Sequence, residues 1–104
     1  MDENSTLDLI SMSIIASAGD GRSLAFQALE KAKEGNFEEA DQLIKDANQA
    51  IGQAHKAQTD LLVQEANGNK QDVNVLLVHS QDHLMTGMLA IELISEIIKL
   101  YKEK

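Results

Sequence analysis

The 104-residue sequence contains no cysteine and no proline, and only three of its residues are aromatic. Without cysteine the chain can form neither a disulfide scaffold nor a Cys-ligated zinc site, and thiolate catalysis is excluded. The absence of proline permits long uninterrupted helices. Three aromatic side chains are too few for a base-stacking platform or a sugar-stacking cleft.

Basic residues are also scarce, with nine Lys and Arg against seventeen Asp and Glu, which gives a net charge of −8. A chain this acidic repels phosphate backbones, so nucleic acid is not expected as a partner. No apolar run approaches the roughly 18 residues that a membrane span needs. The N-terminal segment MDENSTLDL lacks the basic start of a signal peptide. We therefore expect a cytoplasmic protein without direct membrane insertion, folded as one domain over residues 1–104.

Glycine and asparagine divide the sequence into three segments of helical character. The first runs from about Ser5 to Lys33, the second from about Phe37 to Ala66 and the third from about Gln71 to Tyr101. Thirty helical residues span about 45 Å. Three such helices joined by short loops predict an all-α, antiparallel three-helix bundle with up-down-up topology.

Local signals at the helix ends support these segments. Ser5 or Thr6 can cap the first helix. Gly35 suits the position beyond its end, and Asn36 with Glu39 three residues later predicts a capping box for the second helix. Inside the first helix, glycines at positions 19 and 21 cost about 1 kcal/mol each relative to alanine. They indicate either a kink or the close approach of another chain.

The third helix is apolar around most of its circumference, and its clearly polar strip holds only Gln81, Glu92 and Lys99. A helix of this kind must be covered on more than one side. In a three-helix monomer its outer side would be wet, so we expect the third helix to lie at the centre of an oligomer. At 100° per residue, one side of the helix carries Val75, Val78, Met85, Leu89 and Leu93.

A polar cluster, His79-Ser80-Gln81-Asp82-His83, interrupts this apolar helix. Asp82 falls within the stripe of Val75 to Leu93, where a carboxylate must be paired, protonated or bound to a cation. His79 and His83 lie one turn apart and point the same way. Three interpretations fit this cluster. Its side chains are hydrogen-bonded polar groups inside the core or exposed at a helix edge, or they form a His-x-x-x-His metal site with further ligands from elsewhere. In the third interpretation one histidine is a nucleophile, with Asp82 and His83 as its neighbours. Spacing does not choose between the last two.

The stretch VLLVHSQDHLMT at positions 75–86 closely resembles the signature of the lactose/cellobiose-type enzyme IIA proteins of the bacterial phosphoenolpyruvate-dependent sugar phosphotransferase system. AGDGRS at 18–23, GNF at 35–37 and AHKAQT at 54–59 are similar to supporting segments of that family. Ser80 departs from the glycine or alanine expected there, and its hydroxyl either bonds the phosphoryl group or points away. His55 and Gln58 are either partners of His79 or part of a solvated helix face.

The resemblance implies a trimer of three-helix subunits, in agreement with the expectation from the third helix. It implies that His79 carries a phosphoryl group on Nε2, received from the carrier protein HPr and passed to a cysteine of the cognate enzyme IIB. Gln81 and His83 would orient His79 or donate to the phosphoryl oxygens. Asp82 from three subunits would bind one Mg²⁺-like divalent cation per trimer. The sugar, a disaccharide such as lactose, cellobiose or N,N′-diacetylchitobiose, would not touch this protein.

Two other functions fit parts of the pattern. In the first, the chain is a non-enzymatic helical adaptor or oligomerisation module with a structural metal site, and its apolar third helix binds a partner. In the second, it is a metal-storage bundle, but such bundles use several Glu-x-x-His pairs and this sequence has none. A phosphocarrier gains one phosphoryl group when phosphoenolpyruvate, enzyme I and HPr are supplied, whereas an adaptor gains none.

Overall fold

A computed structural model of the chain describes residues 3–104, with side chains described from residue 6 onward. These residues form three α-helices and no strand: α1 (Glu3–Lys33), α2 (Phe37–Ala66) and α3 (Val75–Lys102). The bundle extends 53 × 22 × 19 Å, and α2 and α3 pack mainly against α1. None of the three helices is long and apolar enough to span a membrane. The predicted all-α three-helix fold is confirmed.

Contacts between helix ends establish the up-down-up order. At one end of the bundle, Nδ2 of Asn74, just before α3, donates to Oδ1 of Asp8 near the start of α1 at 3.3 Å. At the other end, Nζ of Lys102 in the last turn of α3 lies 2.8 Å from the carboxylate of Asp41 in the first turns of α2. Therefore α1 and α3 run in the same direction, and α2 runs antiparallel to both.

On α1 and α2 most of the buried core side chains are alanines, whereas those of α3 are leucine and isoleucine. Alanines let α1 and α2 approach each other closely, and these alanines are at most 2% exposed: Ala18, Ala25, Ala28, Ala32, Ala40, Ala47 and Ala54. The third helix adds Leu84, Ile91, Ile94 and Ile98. Because alanine buries less apolar surface than leucine or isoleucine, this core gains less hydrophobic stabilisation than its length suggests. Such a core favours further burial by association.

Two helices begin at residues other than those predicted. The first begins at Glu3, so Thr6 lies inside the helix rather than at its cap; the side chain of Ser5 lies outside the described residues. The third begins at Val75, four residues later than predicted. Asn74 causes the delay, because it holds an extended backbone and its side chain accepts a hydrogen bond from the Leu77 amide at 2.8 Å. An asparagine in this position satisfies a free amide of the first turn.

The turn between α1 and α2 forms as predicted, but without the capping box. Gly35 adopts a φ of +83°, the left-handed region that favours glycine beyond a helix end. Asn36 precedes α2 but makes no side-chain cap hydrogen bond. Glu39 instead lies 3.4 Å from Nζ of Lys31. The hydrogen bond to Glu39 and the nearby charge of Glu34 raise the pKa of Lys31.

The glycine at position 21 marks a close approach of two helices. A Cβ added to Gly21 would lie 3.0 Å from the carbonyl oxygen of Ala47 and 3.1 Å from Cβ of Ile51, both on α2. The first helix continues without interruption through Gly19 and Gly21. The sequence indicated a kink or the close approach of another chain; the structure shows a close approach at Gly21, but by a helix of the same chain.

Candidate functional site

Two histidines one turn apart on α3 stack on each other. The ring centroids of His79 and His83 lie 5.4 Å apart, with 29° between the ring planes. His79 is exposed, whereas His83 is half-buried. The spacing of four residues places both on one side of the helix, as predicted. The pair therefore presents the His79 imidazole to solvent against the face of a second imidazole.

The first helix forms the wall beside His83. A Cβ added to Gly19 would lie 3.5 Å from Nε2 of His83, so the α1 backbone passes directly beside that ring. A groove of about 480 Å³ continues from there along α1, lined by Gly19, Arg22, Ser23, Phe26 and His83. Cζ of Arg22 lies 5.9 Å from the centroid of the Phe26 ring. The supporting AGDGRS segment of α1 thus lies next to the histidine pair.

Gln81 faces α2. Its Oε1 accepts a hydrogen bond from Nε2 of Gln58, and its own Nε2 donates to Oγ of Ser80 at 3.3 Å. Ser80 is fully buried, and its hydroxyl donates to the carbonyl oxygen of Leu77 at 2.6 Å. At 100° per residue, Gln81 stands about 160° around α3 from His79. Within one chain, Gln81 and the Ser80 hydroxyl therefore face away from the histidine pair, and Gln58 contacts Gln81 rather than His79.

The outer face of α3 carries exposed apolar side chains with one carboxylate among them. Five apolar side chains of this face are between 53% and 86% exposed: Val75, Val78, Met85, Leu89 and Leu93. Asp82 lies between Val78 and Met85 in the same stripe and is exposed. We call these six residues the α3 stripe. The prediction that the outer side of α3 is wet in a single chain is confirmed, and an apolar stripe of this length is typical of an interaction surface.

The side chains described for one chain do not assemble a metal site by themselves. Within the described residues, no three His, Cys, Asp or Glu side chains come together in a way that could hold a metal ion. In this part of the chain the stacked histidines lack the further ligands that a tetrahedral site needs. A site built on Asp82 would need carboxylates from several chains.

Two features of this region were missed by sequence reasoning. The Gln58–Gln81 hydrogen bond joins two helices, and nothing in the spacing within either helix indicates it. The groove beside Arg22 depends on the alignment of α1 with α3, and its only signal in the sequence was the AGDGRS segment.

Nearly the whole sequence matches a single protein family. The family described as the PTS system, Lactose/Cellobiose specific IIA subunit, covers residues 9–102. The chain belongs to this lactose/cellobiose-specific IIA family. The resemblance found in the sequence is thereby confirmed, and the IIA chain is a component of a sugar phosphotransferase system that carries phosphoryl groups. The matched segment contains both stacked histidines, the α3 stripe and the residues that line the groove beside His83.

Individual relatives agree with the family match. The lactose-specific EIIA component of Staphylococcus epidermidis is 45% identical over 97 residues, covering 93% of each chain. The N,N′-diacetylchitobiose-specific EIIA component of Escherichia coli K12 is 43% identical over 101 residues, covering 97% of this chain and 87% of the relative.

Solved structures show the same fold. The cellobiose-specific enzyme IIA from Bacillus anthracis superposes with a TM-score of 0.92 at 42% identity, over 99% of this chain and 92% of that structure. IIA(Chitobiose) in the solution structures of its HPr complex from the Escherichia coli phosphotransferase system superposes with a TM-score of 0.82 at 41% identity, over 99% of this chain and 97% of that one.

Proposed function

We propose that His79 accepts a phosphoryl group from phosphorylated HPr and passes it to a cysteine of the cognate enzyme IIB. The exposed His79 ring, stacked on His83, is the observation that carries the proposal. The Escherichia coli relative solved in complex with HPr supports HPr as the donor. The relatives' names support a disaccharide of the lactose, cellobiose or N,N′-diacetylchitobiose class as the transported sugar. The chain would act in the cytoplasm as one IIA-type domain.

The transfer needs a nucleophilic nitrogen and accurate positioning. As Nε2 of His79 forms its bond to phosphorus, the phosphorus–nitrogen bond in the donor breaks, and its electron pair returns to the donor imidazole. The His79 ring releases one proton to solvent and the donor ring takes one up. In the second transfer a cysteine thiolate attacks phosphorus, and His79 regains its electron pair and its proton. The His83 ring limits rotation of the His79 ring, so the attacking nitrogen is held in position.

A trimer built around the α3 stripe would cover the exposed apolar surface. Asp82 lies on the stripe about 60° around α3 from His79 and about 100° in the other direction from Gln81. His79 and Gln81 thus flank the stripe on opposite sides. Around a threefold axis, the His79 side of one subunit faces the Gln81 side of the next. In this arrangement Gln81 supports the histidine of a neighbouring subunit rather than its own.

The proposed trimer would bring three Asp82 carboxylates together. At about 4 Å separation they repel by roughly 4 kcal/mol per pair at an effective dielectric of 20, before any desolvation cost. Asp82 takes part in none of the ion pairs described for residues 6–104, so its carboxylate is available as a ligand. Carboxylate oxygens are the ligands that Mg²⁺ prefers. One divalent cation held by three Asp82 side chains would supply charge neutralisation and hold the subunits together.

Reconstitution with phosphoenolpyruvate, enzyme I and HPr tests the carrier function. Intact-mass spectrometry should show one added phosphoryl group per chain, and the group should be lost in acid. A reaction without enzyme I is the control and should leave the mass unchanged. A chain that stays unmodified in the complete mixture would be an adaptor, and the carrier proposal would be wrong.

Sedimentation equilibrium at micromolar concentration tests the trimer separately. The proposal expects three times the chain mass of 11.4 kDa. A single-chain mass at all micromolar concentrations would contradict the trimer. It would not bear on the carrier chemistry of His79, which the phosphorylation assay tests.

A further inference from the structure

The groove between α1 and α3 is large enough to receive a charged group next to the histidines. Its volume of about 480 Å³ exceeds that of a phosphoryl group several-fold. At Gly19, where there is no side chain, the α1 wall leaves open the space beside Nε2 of His83. His83 in turn stacks on His79. The groove therefore begins at His83, the member of the histidine pair that lines it.

Arg22 places a positive charge in this groove. It stands three residues beyond Gly19 on α1 and lines the groove together with His83. Cζ of its guanidinium lies over the Phe26 ring, 5.9 Å from the ring centroid. A cation–π contact uses none of the guanidinium N–H donors, so they can still bind an anion.

No carboxylate neutralises Arg22 within the described residues. Each of the five ion pairs found there uses a lysine. Among the described residues an ion pair is also absent at Lys45, Lys56, Lys70 and Lys104. Unlike them, Arg22 lines the groove beside His83. The charge is thus available to an anion that enters the groove.

From these observations we infer that Arg22 is a catalytic residue that binds the oxygens of the phosphoryl group during its transfer to and from His79. This inference rests on the proposed carrier function. A guanidinium can hold two phosphoryl oxygens with parallel N–H···O bonds, and charge-assisted bonds of this type are stronger than neutral ones. Arg22 would stabilise the negative charge on the equatorial oxygens while phosphorus passes between nitrogens. It exchanges no proton and forms no covalent bond.

Substitution of Arg22 tests the inference, with Lys56 as the matched control. Lys56 is an exposed cation on α2, so Lys56→Gln removes the same charge from a different surface. Arg22→Gln should slow phosphorylation by phospho-HPr about tenfold to a hundredfold, the loss expected when one donor to a developing charge is removed. The loss should fall on kcat rather than on KM for phospho-HPr. Arg22→Lys should recover part of it, and Lys56→Gln should stay within about twofold of the unmodified chain.

A ³¹P NMR spectrum of the phosphorylated chain gives a second readout. Loss of a guanidinium bound to the phosphoryl oxygens should shift the phosphohistidine resonance in Arg22→Gln, whereas the resonance should stay in place in Lys56→Gln. Unfolding curves of the two variants should coincide with that of the unmodified chain.

Two results would overturn the inference. In the first, Arg22→Gln matches Lys56→Gln in both rate and resonance. In the second, only KM rises, so that Arg22 serves docking instead of transfer. If the unmodified chain takes up no phosphoryl group at all, the carrier function itself has failed, which is a different outcome from either of these.

Discussion

Two glycine-to-alanine substitutions test how closely α1 and α2 approach. Gly21 and Gly52 both lie inside helices, so alanine gains about 1 kcal/mol of helix propensity at either position. Their surroundings differ. A Cβ at Gly52 meets no atom within 4 Å, whereas a Cβ at Gly21 would lie 3.0 Å from a backbone oxygen of Ala47 and 3.1 Å from Cβ of Ile51. Neither of those atoms belongs to the flexible end of a side chain, so the helices themselves must move apart.

The propensity term is the same in both variants and cancels in their comparison. Gly52→Ala should raise the free energy of unfolding by about 1 kcal/mol. Gly21→Ala adds an overpacking cost of about 2 kcal/mol, so it should lower the free energy of unfolding by about 1 kcal/mol. The two variants should therefore differ by about 2 kcal/mol, which is the cost of the overlap alone.

Urea unfolding followed by circular dichroism measures this difference. All samples must share one protein concentration, because association changes apparent stability. Equal slopes of the unfolding free energy against urea would show that the substitutions alter stability and leave the unfolded state unchanged. If Gly21→Ala proved as stable as Gly52→Ala, the close approach at Gly21 would be refuted.

Three further predictions concern single side chains. Asn74→Ala removes the cap of α3 and should lower the free energy of unfolding by about 1 kcal/mol in the same assay. Ser11 is fully buried, and its hydroxyl finds no partner among the described residues. Ser11→Ala should therefore raise the thermal midpoint, because it adds about 1 kcal/mol to the free energy of unfolding. Ser80→Ala loses a hydrogen bond to Leu77 and should not raise the midpoint. In the proposed trimer, Asp82→Leu removes the axial carboxylates, so this variant should stay trimeric in EDTA. After buffer exchange the unmodified chain should retain one divalent cation per three chains. One cation per chain would contradict a shared axial site.

Most of the fold could be predicted from local signals. The second helix has the predicted bounds because Gly35 ends the preceding helix and the glycine-asparagine break after Ala66 ends its own. The start of α3 was misplaced because residues 71–74 read as compatible with a helix, and the cap at Asn74 depends on one side-chain hydrogen bond. The capping box at Asn36 failed because Glu39 pairs with a lysine of the previous helix, a contact between helices that a pattern within one helix does not contain.

The candidate site was predictable where it lies on a single helix. The spacing of His79 and His83 already places them on one side of α3, and the position of Asp82 in the stripe follows from the same periodicity. The partners contributed by other helices were not predictable. Gln58 reaches Gln81, and Arg22 reaches the groove at His83, only because of the axial alignment of packed helices.

The central claim is that His79 carries the phosphoryl group. Phosphoryl labelling of three variants, each with one histidine replaced by alanine, tests this claim. The chain has three histidines, so replacing each with alanine accounts for every imidazole. After incubation with phosphoenolpyruvate, enzyme I and HPr, His79→Ala should show no acid-labile phosphoryl group while keeping its helical circular dichroism. His55→Ala should be labelled at the rate of the unmodified chain, and His83→Ala should be labelled more slowly. A labelled His79→Ala, or a folded His83→Ala or His55→Ala without label, would contradict the assignment.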